Sequence, residues 1–199
     1  METTMLPSNI AEKASGQLLT RYFFQKRPDH VALELLGTTI RRGQIICIIV
    51  ETEAYFGDCD PGSRASKYKK GRIRSRLFGD PGVLLIYGMH GWLLTNIVAH
   101  EEGSGGAVLI RSCYVPGQGV IEGPGKVSRY LQVNPSMDGE AVNTPSTFML
   151  YKTYTPKEVM RLYRVNVARD FKEPMRFVFN GLFQPRRYKP KELVEFNPC

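Results

Sequence analysis

Ile45-Ile46-Cys47-Ile48-Ile49-Val50-Glu51-Thr52-Glu53-Ala54-Tyr55 begins as six apolar residues and closes on two carboxylates and a tyrosine. A run of β-branched and apolar residues fits a pleated, buried strand. The segment from Gln44 to Tyr55 reads as one, with Thr38–Arg41 as its antiparallel neighbour, joined through Arg42-Gly43. Successive strand side chains point to opposite faces. Glu51, Glu53 and Tyr55 therefore project one way, while Val50, Thr52 and Ala54 suit a core. Two carboxylates at i and i+2 repel, and burial or nearby charge can separate their proton affinities, as active sites exploit. An acidic face turned to solvent, or paired with arginines, would have the same sequence.

Outward from this strand the elements are short. Asp29 to Leu36 reads as a helix, with Asp29 able to cap its start and Gly37 suited to the position after its end. Val83–Tyr87, Ala107–Arg111 and Pro174–Phe179 read as further strands. Gly123-Pro124-Gly125-Lys126 reads as a turn opening a helix through Leu131. Ile10 to Phe24 is a possible helix. Thr155-Pro156-Lys157-Glu158 is either a capping box or a turn before a strand centred on Val165 and Val167. Short strands and helices without regular alternation predict an α+β fold, a single compact domain around a curved, mainly antiparallel sheet with short peripheral helices. The division expected is a helical arm over 1–26, a main domain over 27–185 and a basic tail over 186–199.

The 199-residue chain has a net charge of +8, which favours a polyanionic partner. Lys67, Lys69, Lys70, Arg72, Arg74 and Arg76 form a basic run uninterrupted by an acidic residue until Asp80, inside a long glycine-containing connection from Gly57 to Gly82. Arg186, Arg187, Lys189 and Lys191 form a second cluster around Tyr188, read as a solvated tail. Cys47, Cys59, Cys113 and Cys199 are scattered and the histidines show no ligand spacing, so reduced thiols and no metal are expected. No apolar run approaches membrane-spanning length, and the N-terminus lacks the pattern of a signal peptide. An intracellular protein is expected, in the cytoplasm or nucleoid, or in the nucleus of a eukaryote.

Two further elements carry candidate chemistry. Arg111 closes the apolar run Leu109-Ile110, placed either to orient a carboxylate or simply to mark the strand's exit into water. Tyr87-Gly88-Met89-His90 sets an aromatic residue and a turn after another apolar strand.

Taken in order, several segments resemble the 3-methyladenine (alkyladenine) DNA glycosylases. They are Val31-Ala32-Leu33-Glu34-Leu35-Leu36-Gly37, Ile49-Val50-Glu51-Thr52-Glu53-Ala54-Tyr55, Tyr87-Gly88-Met89-His90, Gly106-Ala107-Val108-Leu109-Ile110-Arg111, Gly123-Pro124-Gly125-Lys126-Val127 and Met175-Arg176-Phe177. The resemblance spans about residues 28–179, and the Val-Glu-Thr-Glu-Ala-Tyr string is its specific part.

The resemblance implies base-excision repair: a damaged purine, alkylated or deaminated, is flipped from duplex DNA and its N-glycosidic bond is hydrolysed. It makes Glu53 the general base on the attacking water, with Arg111 holding that water. Tyr55 would stack on the flipped base, and Tyr87 would wedge into the gap left in the duplex. Phosphate contacts are expected from Lys67, Lys69, Lys70, Arg72, Arg74, Arg76, Met89, Gly125 and Lys126. No lysine stands out as a Schiff-base nucleophile, so a monofunctional enzyme is expected, monomeric, acting on double-stranded DNA without a membrane, metal or organic cofactor. Three positions depart from the family pattern. Arg64 occupies the place of a base-contacting histidine, Leu84 that of an aromatic residue, and Leu94 that of an asparagine whose nearest substitute is Asn96. Arg64 and Asn96 are the expected base contacts, and Trp92 is either core or a replacement aromatic surface. The altered pocket also fits a catalytically impaired nucleic-acid-binding homologue, and a carboxylate-dependent hydrolase of nucleosides or RNA is a further alternative.

Overall fold

The computed structural model describes residues 16–197. In chain order the elements are β1 (Gln17–Leu18), α1 (Pro28–Glu34), β2 (Thr38–Arg42), β3 (Ile45–Phe56), α2 (Arg64–Lys67), α3 (Arg72–Leu77), β4 (Leu84–Met89) and β5 (Trp92–Val98). There follow β6 (Gly106–Val115), β7 (Gly119–Glu122), α4 (Pro124–Tyr130), β8 (Met149–Lys152), β9 (Val159–Leu162), β10 (Arg169–Phe171), β11 (Arg176–Phe179) and β12 (Glu192–Val194). Ten strands form one antiparallel sheet in the order β1-β8-β2-β3-β6-β5-β4, with β11 bridging β3 to β9 and β7 added to β6. The sheet does not close on itself. The fold is the expected α+β domain, mainly antiparallel, with few and short helices.

β3 is central because it is long enough to be shared. Its first half pairs with β2, its second half with β11, and its other edge with β6. α1 covers one face of the strand, so the side chains there can be mostly apolar. Val31, Ala32, Leu35 and Leu36 join Ile49, Ala54 and Ile110 in the main core cluster. The Thr52 hydroxyl donates to the Ala32 carbonyl at 2.8 Å, so the one polar side chain on that face is satisfied. Gly37 lets the chain turn from α1 into β2: its φ is +79°, and a Cβ there would collide with the Tyr154 carbonyl.

Several local expectations need correction. Arg27, not Asp29, caps α1, because Pro28 takes the first helical position. The helix expected over 10–24 begins outside the described residues. From residue 16 the chain forms β1 and a single 3-10 turn, Arg21–Phe24, whose Phe24 is fully buried. The strand centred on Val165 and Val167 is a turn with Asn166 at φ +60°, and neither it nor a capped helix but β9 uses the preceding apolar residues. Residues 186–197 keep their basic side chains exposed, yet β12 pairs with β10 and Phe196 packs on Phe56 and Phe171. Cys47 and Cys113 are free and buried, but Cys59 is disulfide-bonded, since sequence spacing carries no information about proximity in space. Among the described residues no helix is long and apolar enough to cross a membrane.

Candidate active site

Two compensating bulges shape the β3–β6 ladder where the carboxylates lie. Ile49 faces Cys113 and Glu51 faces Ser112, which leaves Val50 unpaired with β6; Thr52 then faces Ile110, which leaves Arg111 unpaired. A bulge re-aims the side chain it carries. Val50 consequently packs with Ile48 and Phe179 rather than with Ala54, against simple alternation. Arg111 swings toward Glu51 and Glu53. Its Nε donates to Glu51 Oε1 at 3.1 Å and lies 3.4 Å from Glu53 Oε1.

The two glutamates have different partners. Glu51 is enclosed by cations: Arg176 Nε donates to the same Oε1 at 2.5 Å, and the Ser112 hydroxyl donates to Oε2. Glu53 is fully buried and accepts from the Val165 amide at 2.7 Å on Oε1 and from the Tyr55 hydroxyl at 2.8 Å on Oε2. A carboxylate offers about four acceptor positions. Glu53 accepts two hydrogen bonds, with Arg111 at ion-pair distance, whereas Glu51 accepts three, two from guanidinium groups and one from a hydroxyl, so Glu53 keeps the larger unused acceptor capacity. Burial, then the neighbouring Glu53, pushes the Tyr55 hydroxyl well above the ordinary tyrosine range, against the opposing charge of Arg164. Burial works to release the proton of Arg111, but the charges of Glu53 and Glu51 outweigh it and raise its affinity.

Tyr55, Arg111 and Val165, the three residues against Glu53, line a cleft of about 470 Å³. The carboxylate thus lies directly behind the wall of a cavity large enough for a purine nucleoside. The Tyr55 ring is fixed from behind by Arg164, whose guanidinium carbon lies 4.7 Å from the ring centre. Arg164 is wholly buried and grips Asp60 (2.6 and 2.8 Å), Asp170 (2.7 and 3.0 Å) and the Ala54 carbonyl (2.9 Å). This network also anchors the turn that presents the Val165 amide. Sequence reasoning missed Arg164, Val165, Asp60 and Asp170. The only sequence signal for Arg164 was its position beside apolar residues, and its partner Asp60 is 104 positions away.

The other expected residues divide. Arg64, Lys67, Tyr87, Met89, Gly125 and Lys126 all line the cleft. The Arg64 guanidinium lies over the Tyr87 ring at 5.1 Å, and Tyr87 is half-buried in the wall. Burial raises the Tyr87 hydroxyl above its ordinary range, with Arg64 opposing. Trp92 lines the cleft too, 42 % exposed, seated on Gly125, where a Cβ would come within 2.7 Å of the indole. Asn96 is buried behind Tyr87, its amide donating to the Leu85 carbonyl at 3.1 Å, and Leu94 lines the cleft instead. Leu84 is core. The basic run is partly neutralised: Arg74 and Lys69 pair with Asp58, and Arg72 and Arg76 with Asp138. Lys67 and Lys70 have no ion pair among the described residues and are exposed. A second, polar cleft adjoins the first at Arg111 and Lys126. Arg176 forms part of its wall and donates to the Arg186 carbonyl at 2.7 Å.

Comparison with known proteins bears on this geometry. The family described as Methylpurine-DNA glycosylase (MPG) matches residues 22–182. A relative from Aeropyrum pernix is 41% identical over 178 residues, covering 83% of this chain and 91% of its own. Relatives from Rhodopseudomonas palustris and Wolbachia pipientis wMel are each 32% identical, over 189 and 168 residues; the matches cover 86% and 82% of this chain and 89% and 92% of theirs. All three carry the name "Putative 3-methyladenine DNA glycosylase".

Proposed function

This chain belongs to the methylpurine-DNA glycosylase family, and on that premise we propose that it is a monofunctional glycosylase of base-excision repair. It binds double-stranded DNA as a monomer inside the cell, flips an alkylated or deaminated purine into the cleft, and leaves an abasic site. The observation that carries this reading is Glu53: a buried carboxylate with acceptor capacity to spare, between Tyr55, Arg111 and the Val165 amide, directly behind the wall of a purine-sized cleft.

The chemistry follows from those partners. The flipped base stacks on Tyr55, whose aromatic face attracts electron-poor or cationic purines. A water held by Glu53 and Arg111 faces C1′ of the nucleotide. As the C1′–N9 bond breaks, its electron pair leaves with the base. The water oxygen bonds to C1′, and its proton passes to Glu53. Because Glu51 is engaged by Arg111 and Arg176, it orients the arginines and takes no proton. Tyr87, on the hairpin of β4 and β5, enters the vacated stack and offsets the cost of flipping. Lys67, Met89, Gly125 and Lys126, at the same cleft, meet the backbone around the extruded nucleotide.

The test is an end-labelled duplex carrying hypoxanthine, ethenoadenine or a methylated purine, incubated with the protein and analysed with and without alkali. The reading requires strand breaks only after alkali, and little release of base from free nucleosides. Breaks without alkali would refute the monofunctional mechanism, and equal cleavage of free nucleosides would refute flipping.

A further inference from the structure

We infer that Arg64 makes this site selective for an uncharged purine that accepts hydrogen bonds at both its 6-position and N7, hypoxanthine being the simplest. The inference rests on the glycosylase reading and narrows its substrate.

The arginine and lysine side chains that line the cleft are Arg64, Lys67, Arg111 and Lys126, and only the two arginines carry a planar fork of donors. Arg111 is held by Glu51 and Glu53, and Arg164, behind Tyr55, by Asp60 and Asp170. Arg64 has no carboxylate partner among the described residues. It lines the same cleft as Tyr55, the Tyr87 ring supports one face of its guanidinium at 5.1 Å, and it remains half-buried. A guanidinium is an obligate donor with its N–H groups in a planar fork, and it matches two adjacent acceptors. On a purine these are O6 and N7, the pair that arginine reads in guanine.

The lesions differ at that edge. Hypoxanthine is uncharged and presents both acceptors. Ethenoadenine is uncharged and has a ring nitrogen in place of O6, so it sorts with hypoxanthine. 3-Methyladenine turns an amino group toward the fork, donor against donor. 7-Methylguanine has its N7 blocked and brings a positive charge toward an unneutralised cation. Guanine shares both acceptors, and what separates it from hypoxanthine is the cost of leaving its cytosine pair, which is least for a base already mismatched.

The experiment measures kcat/KM for the intact protein on a hypoxanthine duplex and on dimethyl-sulfate-methylated DNA, scoring release of 3-methyladenine and 7-methylguanine. It is repeated for Arg64→Met and for Arg64→Lys, which keeps the charge without the fork. The ratio of hypoxanthine to either methylpurine should fall roughly 10- to 100-fold in both variants. A uniform loss across all lesions would place Arg64 on a phosphate or in the fold and overturn the inference, as would unchanged ratios. A wild-type protein that releases none of these bases would instead remove the glycosylase reading, and the inference with it.

Discussion

The Nε of Arg111 donates to Glu51 Oε1 at 3.1 Å and lies 3.4 Å from Oε1 of Glu53, so one guanidinium hydrogen-bonds to the first carboxylate of β3 and ion-pairs with the second. The bulge at Arg111 makes this possible by lifting the residue out of the β3–β6 register. Arg111→Met should then destabilise the protein by about 3 kcal/mol, because it leaves buried carboxylate charge under-compensated. Excision should fall further than stability accounts for. Denaturant unfolding and single-turnover excision on the same variant separate the two effects; a variant of normal stability and normal rate would contradict the pairing.

Tyr55 gives the pH dependence a definite sign. Burial, then Glu53, raises its hydroxyl well above 10, so the fold favours the protonated form. That contribution is complete below the ordinary tyrosine value near 10 and is lost only as pH rises toward the raised one. Neither stability nor excision should decline below about pH 10 through this group. In an ultraviolet titration of the ten tyrosines, Tyr87 and Tyr130 should ionise late and Tyr55 last, with unfolding. Early ionisation of all ten would contradict the donor role of Tyr55 toward Glu53.

Arg164 carries a larger structural burden. Arg164→Met leaves Asp60 and Asp170 buried without their cation, for a loss of about 3–5 kcal/mol. It also frees the turn holding the Val165 amide against Glu53. A lower midpoint in thermal unfolding is expected, together with weaker excision at temperatures where the variant remains folded. Wild-type stability would mean that water, not Arg164, satisfies the two carboxylates.

How much of this could be read in advance follows from how local each signal is. Glu51, Glu53 and Tyr55 share a face because strand period is a property of the backbone, and the sequence displayed it directly. Val50 could not be placed, since a bulge depends on the partner strand. β5 stayed hidden because Thr95 and Asn96 interrupt its apolar residues, and only pairing with β4 and β6 makes it a strand. Arg164 was illegible for a stronger reason: a charged residue is read as surface, and of the carboxylates that allow its burial Asp60 lies 104 positions away, while Asp170, six residues on, meets it only because the intervening turn folds back. The basic run looked like one cationic patch, and Asp58 and Asp138, outside it, divide it into paired and unpaired charges.

That division has a measurable consequence. Lys67 and Lys70 are exposed and unpaired, so Lys67→Glu with Lys70→Glu should flatten the plot of log binding constant against log salt by about 1.8, or 0.9 per lost phosphate contact. Arg74→Ala, which removes a charge already paired with Asp58, should change the slope little. The reverse pattern would mean that DNA displaces the internal pairs.

The most direct measurement is single-turnover base release by Glu53→Gln on a lesion-bearing duplex, beside binding of the same variant to that duplex. The substituted amide can still accept from the Val165 amide but cannot take a proton from water. Release should fall by roughly 10²- to 10⁴-fold while binding persists. Release at the wild-type rate would show that some other group activates the water.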